Sequence, residues 1–160
     1  MTKRINRIFY LFLLVSSILF AACNSNVVFT GSVAMKGNKW ELMNIPVFKV
    51  SVTDTINSNN LSFILRTGSD YPFRNIFLFV TATSPEGKIL TDTLQYYLAD
   101  DKGKWYGRGF GDIHEMNLPY ISNVFFPSKG EYTFRIQHGM RTVNLPGIYD
   151  IGFRIESVRK

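Results

Sequence analysis

The chain has 160 residues, 46% hydrophobic and 15% aromatic, with a formal net charge of +6 and a single cysteine. That length suits one domain with its own core, and one cysteine excludes a disulfide framework. Three of the eighteen bases and none of the twelve acids precede residue 23, so the remainder balances at fifteen minus twelve, or +3, too mild for a nucleic-acid face.

The N-terminus reads as an address. Lys3, Arg4 and Arg7 precede an apolar run from Ile8 to Ala22, which stops at Ala21-Ala22-Cys23. Fifteen apolar residues fall short of the roughly 20 needed to span hydrocarbon. An ordinary secretory cleavage site uses small residues and has no need of a thiol. A cysteine directly after two small residues is the pattern of a bacterial lipobox, in which the thiol receives a diacylglycerol before the leader is removed. Phe20 is bulkier than the aliphatic residue usual at its position. Cys23 is therefore the expected lipidation site, residues 1–22 the signal peptide, residues 23–45 a tether and N-terminal segment, and residues 46–160 the folded domain. Attachment through two or more acyl chains holds a protein stably on a membrane. The tether Asn24-Ser25-Asn26 carries no acidic run.

Val27-Val28-Phe29 can form a strand or a docking segment, and Trp40 and Leu42 are expected to tuck under the domain. From Pro46 the period becomes regular. Phe48, Val50 and Val52 alternate with polar residues, the signature of a half-buried strand, and Leu61, Phe63 and Leu65 alternate after the turn cluster Asn57 to Asn60. Ile76 to Ala82 is apolar on both faces, which predicts a central strand covered on both sides. Ser84-Pro85-Glu86-Gly87 predicts a hairpin turn. The return strand places Leu90, Leu94, Tyr96 and Leu98 inward. Asp100 to Gly103 is a turn, and Gly107, Gly109 and Gly111 argue against a helix. A short helical turn capped by Asp112 is expected over 112–121 and stopped by Pro119. Short strands follow at Val124 to Phe126, Tyr132 to Ile136 and Tyr149 to Ile155. The sum is an antiparallel all-β fold, a single two-sheet sandwich of about seven or eight strands, with a barrel as the alternative.

Chemistry is sparse. His114 and His138 are the only histidines, and no zinc-ligand spacing exists. No nucleophile elbow is present, and Asp100, Asp101 and Gly103 lack the ligand pattern of a calcium loop. No metal, cofactor or nucleotide is expected. Asp92, Asp112, Glu115, Glu131 and Asp150 supply a carboxylate pair only if two of them meet in space, as hydrolysis of a glycoside requires. Trp105, Tyr106 and Arg108 are candidates for a sugar- or peptide-binding platform, since flat rings and a guanidinium suit both; the alternative is that Trp105 covers one end of the sandwich. His138 continues the inward parity of its strand and is expected as a hydrogen-bonded histidine at the core's edge. Arg135, Arg141 and Arg154 can form a modest basic patch. Asp54-Thr55-Ile56 and Asp92-Thr93-Leu94 resemble bacterial O-glycosylation acceptors.

Four stretches carry a more specific resemblance: Tyr71 to Val80, Leu98 to Ile113, Gly130 to Arg141 and Gly147 to Phe153. Together they resemble the gliding motility lipoprotein H (GldH) family of Bacteroidetes, with Leu98 to Ile113 the most specific run. The resemblance implies a cell-envelope lipoprotein tied to gliding and type IX secretion, not an enzyme, with other envelope proteins as partners; in Bacteroidetes a tether without an acidic run implies the outer membrane, facing the periplasm. It transfers one residue role, lipid attachment, to Cys23. The competing expectation is a carbohydrate- or peptidoglycan-binding module using Trp105, Tyr106 and Arg108.

Overall fold

The computed structural model describes residues 26–158. Cys23 and the leader lie outside them. Among the described residues there are eleven strands: β1 (Val27–Ala34), β2 (Lys39–Glu41), β3 (Val47–Val52), β4 (Ser58–Gly68), β5 (Asn75–Thr83), β6 (Ile89–Tyr97), β7 (Arg108–Phe110), β8 (Ile113–Val124), β9 (Gly130–His138), β10 (Asn144–Pro146) and β11 (Ile148–Val158). A five-stranded sheet has the order β1-β11-β4-β8-β7, a four-stranded sheet the order β3-β9-β5-β6, and β10 pairs with β2 in a ribbon. Every pairing is antiparallel.

The alternating residues explain the two large sheets. Phe48, Val50 and Val52 on β3, and Tyr132, Phe134 and Ile136 on β9, turn their rings and branches inward and are buried. Phe63 on β4 and Phe153 on β11 do the same from the opposite sheet. The faces meet at Phe153, whose ring centroid lies 4.6 Å from Phe134, 5.8 Å from Phe48, 5.4 Å from Phe63 and 6.2 Å from Phe29. Tilted aromatic contacts of this kind add to the burial of apolar area. The architecture is sandwich-like, and each large sheet ends in unpaired edges, so no barrel closes.

Several expectations change. The strand count is eleven in three sheets, not seven or eight in two. Of the readings offered for Val27 to Phe29, the strand holds: β1 is an edge of the five-stranded sheet, and Trp40 is fully buried as expected. The expected helical turn over 112–121 is instead part of β8. Met116 and Leu118 are buried there between the exposed Glu115, Asn117 and Pro119, a period of two that outweighs the proline. Pro119 is tolerated because the register of β8 against β4 shifts beside it, between Leu61 and Ser62, and proline is accepted where the ladder is irregular. The strand expected at Val124 to Phe126 ends at Val124, after which Phe126 turns inward and Phe125 stays 58% exposed. Strand β5 is central by pairing, yet its second face is open, with Phe79 41% exposed. The inward parity holds at Leu94 and Tyr96 on β6 and at Leu98 just past it, while Leu90 is exposed at the rim of an apolar cavity.

His138 is fully buried, but not as a hydrogen-bonded histidine. Its ring packs edge-on against Trp40 at 5.5 Å, and neither nitrogen has a hydrogen-bond partner. Burial pushes its pKa down, opposed by the nearby Trp40 backbone, which lacks hydrogen-bond geometry.

Candidate functional site

The outer face of the five-stranded sheet carries a cavity of about 500 Å³. Strand β11 supplies Arg154 and Glu156 to its lining, β8 supplies Glu115 and Asn117, and Tyr97, Tyr106 and Arg108 complete it. The segment from 98 to 106 folds back on itself. Ala99 bridges to Trp105, Leu98 O accepts the Tyr106 N–H at 2.9 Å, and Asp100 O accepts the Gly103 N–H at 3.1 Å. Asp100 Oδ1 also accepts the Lys102 and Lys104 N–H groups at 2.9 and 2.8 Å, the work of a turn residue. This fold-back leads from Tyr97 at the end of β6 to Tyr106 before β7. Both tyrosines are about two-thirds exposed.

Charge is arranged in short networks across the face. The Arg66 guanidinium, between its register partners on β8 and β11, donates to Glu115 Oε2 at 2.8 Å and to Asp150 Oδ2 at 3.3 Å. Those carboxylates raise the Arg66 pKa, Glu115 by hydrogen bonding first. Arg154 Nη2 donates to Glu156 Oε1 at 2.6 Å, while Arg154 Nε is buried and has no partner. A buried donor left unpaired is costly, so Arg154 Nε is a local cost of this packing.

The expected platform divides. Tyr106 and Arg108 line the cavity; Trp105 does not. Its ring is half-buried, stacked on His114 at 5.2 Å and 19°, and 6.3 Å from Tyr71. Neighbouring residues on an extended segment point to opposite sides, so Trp105 packs against the core while Tyr106 faces out. Tyr97, Asn117 and Glu156 were missed as site residues, and Glu115 was considered only as one of a carboxylate pair. The available signal was parity: Arg154 and Glu156 are two apart on one strand, and Tyr97 has outward parity beside the inward Tyr96 and Leu98. The anticipated basic patch does not form, because Arg135 is exposed on the four-stranded sheet and Arg154 belongs to the five-stranded one.

Of the five acids considered as a pair, Glu115 and Asp150 do meet, but with a guanidinium between them. Asp92 accepts the Tyr120 hydroxyl at 2.5 Å, and Glu131 pairs with Lys49 at 3.0 Å. Burial, then the Asp92 bond, push the Tyr120 pKa up. Asp112 lies at the turn into β8. Among the described residues no group of three His, Cys, Asp or Glu side chains is placed to hold a metal ion, and no helix is long and apolar enough to cross a membrane. Thr93 is exposed on β6, and Thr55 is half-buried in the loop after β3.

Backbone approach fixes β7. A Cβ on Gly107 would stand 2.6 Å from both Glu115 O and Met116 Cγ. Gly107→Ala is expected to push β7 off β8, costing about 1–3 kcal/mol and displacing Arg108. Thermal melting of the purified variant checks this, and an unchanged midpoint would refute the close packing.

A family model described as GldH lipoprotein matches residues 27–155. The chain is 36% identical over 151 residues to the gliding motility lipoprotein GldH of Flavobacterium johnsoniae, covering 90% of this chain and 93% of that protein. It is 34% identical over 146 residues to a protein of Christiangramia forsetii named as a gliding motility lipoprotein GldH homolog, covering 87% and 89%. The family match spans nearly the entire set of strands that forms the cavity and the core beneath it, both relatives cover most of the chain, and on this basis the chain belongs to the GldH lipoprotein family.

Proposed function

We propose that this protein is a lipid-anchored β-sandwich of the cell envelope, held at the outer membrane through Cys23 and facing the periplasm. In this reading it serves gliding motility and the linked secretion machinery by binding another envelope protein, without catalysis. The family match supports the lipoprotein and motility parts of the reading. The observation that favours binding is the cavity itself. Two exposed tyrosines and the Arg108 and Arg154 side chains line it together, and tyrosine and arginine are the side chains that dominate protein interfaces.

A glycan ligand is the second reading, favoured by Tyr97 and Tyr106 flanking Asn117 and Glu156. The original three-residue platform weakens as a sugar site, since Trp105 offers no open ring face beside the other two.

Crosslinking in cells followed by capture of the native lipoprotein separates the two. We expect one discrete protein adduct, reduced at least fivefold in a Tyr106→Ala/Arg108→Ala variant and unaffected by Lys49→Ala on the opposite sheet. Deleting the gene is expected to abolish colony spreading. Equal adducts in all three proteins, or cell-wall glycan retained by the wild type and lost in the double variant, would defeat the protein-binding reading.

A further inference from the structure

One end of the molecule gathers exposed apolar side chains around the point where the chain enters the fold. Val27 on β1 pairs with Glu156 on β11, Glu156 with Asn60 on β4, and Asn59 with Val124 on β8. In the other sheet Val52 pairs with Gly130, and Thr83 with Ile89, at the same end. The loops 53–57, 84–88 and 125–129 close that end. Ile56 is 84% exposed, Ile89 69% and Phe125 58%. Ile89, Leu90, Phe125 and Pro127 share one apolar cavity of about 250 Å³.

The loops hold these side chains firmly. Asp54 Oδ1 accepts the Ile56 and Asn57 N–H groups at 2.8 and 3.2 Å, and its other oxygen accepts Asn57 Nδ2 at 2.6 Å. Glu86 is turned back onto Ser84 Oγ at 2.8 Å. Lys88 and Lys129 are exposed beside them and, among the described residues, form no ion pair. Hydrogen bonds first, and the more distant charges of Lys129 and Lys88 last, lower the pKa values of Asp54 and Glu86, so both acids stay charged; neither lysine is held in a direct ion pair among the described residues, and both are exposed to an external anion.

We propose that this end is a membrane-contact surface, with Ile56, Ile89 and Phe125 seated in the headgroup layer of a phospholipid bilayer and Lys88 and Lys129 against its phosphates. The proposal rests on the reading of Cys23 as the lipid-bearing residue. Four peptide steps separate Cys23 from Val27, a reach of at most about 14 Å even fully extended. Acyl chains in the bilayer therefore bring the β1 end to the headgroups and leave the Tyr106 end pointing away. Exposed aromatic and branched side chains flanked by lysines are the composition that interfacial contact favours.

Depth-dependent quenching tests it. Full-length lipoprotein carrying Phe125→Trp or Ile56→Trp is reconstituted in vesicles of dibrominated phosphatidylcholine; a Tyr106→Trp protein serves as the control. All three substitutions are at exposed positions, and the native Trp40 and Trp105 lie at the opposite end of the fold. We expect at least half of the added emission to be lost for Trp at 125 and 56, and less than a tenth at 106. Unquenched emission at 125 and 56 from protein that still floats with vesicles would overturn the contact surface while leaving the anchor intact. Protein that fails to float, or a Cys23→Ala protein that stays with cell membranes after a carbonate wash, would instead overturn the reading of Cys23.

Discussion

A Phe153→Ala protein is expected to be less stable by about 3–5 kcal/mol, with a melting temperature lower by roughly 10–20 °C. Phe153 is fully buried and touches aromatic rings from β1, β3, β4 and β9. Its removal withdraws one ring from contacts on both sheets at once, and four large neighbours anchored on separate strands cannot collapse to fill the space. Phe79→Ala is the control, because that ring stands on the open face of the four-stranded sheet; about 1 kcal/mol is expected there. Circular dichroism melts of both variants decide the matter. A Phe153→Ala midpoint within about 3 °C of wild type would mean that the sheets are not joined through this ring.

The second large effect is on pH dependence. His138 is buried without a hydrogen-bond partner, and its pKa is depressed by burial. In the unfolded chain it titrates near its ordinary value of about 6.5. Below that pH the unfolded state takes up a proton that the folded state refuses, so stability is lost as pH falls. The loss runs at about 1.4 kcal/mol per pH unit until the folded-state pKa is reached. His138→Leu keeps a similar volume and removes the titration. Urea midpoints between pH 7.5 and 5 should therefore diverge, with the variant increasingly the more stable as pH drops. At pH 7.5 it should also gain about 1 kcal/mol, because an unpaired buried polar group is replaced by an apolar one. A gap between variant and wild type that does not change with pH would refute the buried, neutral histidine.

Much of the strand plan was legible because alternation is a local property. Phe48-Val50-Val52, Leu61-Phe63-Leu65, Tyr132-Phe134-Ile136 and Ile151-Phe153-Ile155 each report their buried face without knowledge of a partner. The hairpin at Ser84 to Gly87 and the turn at Asp100 to Gly103 follow from turn chemistry in the same way. Beta structure over 113–124 was obscured by Pro119, whose acceptability depends on a register shift in β4, some sixty residues earlier. At the candidate site, Tyr106 and Arg108 stood out by composition. Arg154 did not, because its place in the cavity lining depends on β11 lying two strands from β8, which only the sheet order reveals.

The sequence by itself determined the antiparallel all-β class and the family, since these reside in residue type, spacing and period. Only the tertiary structure decided which strands are neighbours. By placing β4 between β11 and β8 it set Arg66 between Glu115 and Asp150, turned a supposed carboxylate pair into a charge clamp, and opened the cavity beside Tyr106. It also decided that Trp105 packs against His114 while its neighbour faces solvent. The physical reason is that a period of two says which face a side chain takes, but not what the facing sheet will present to it.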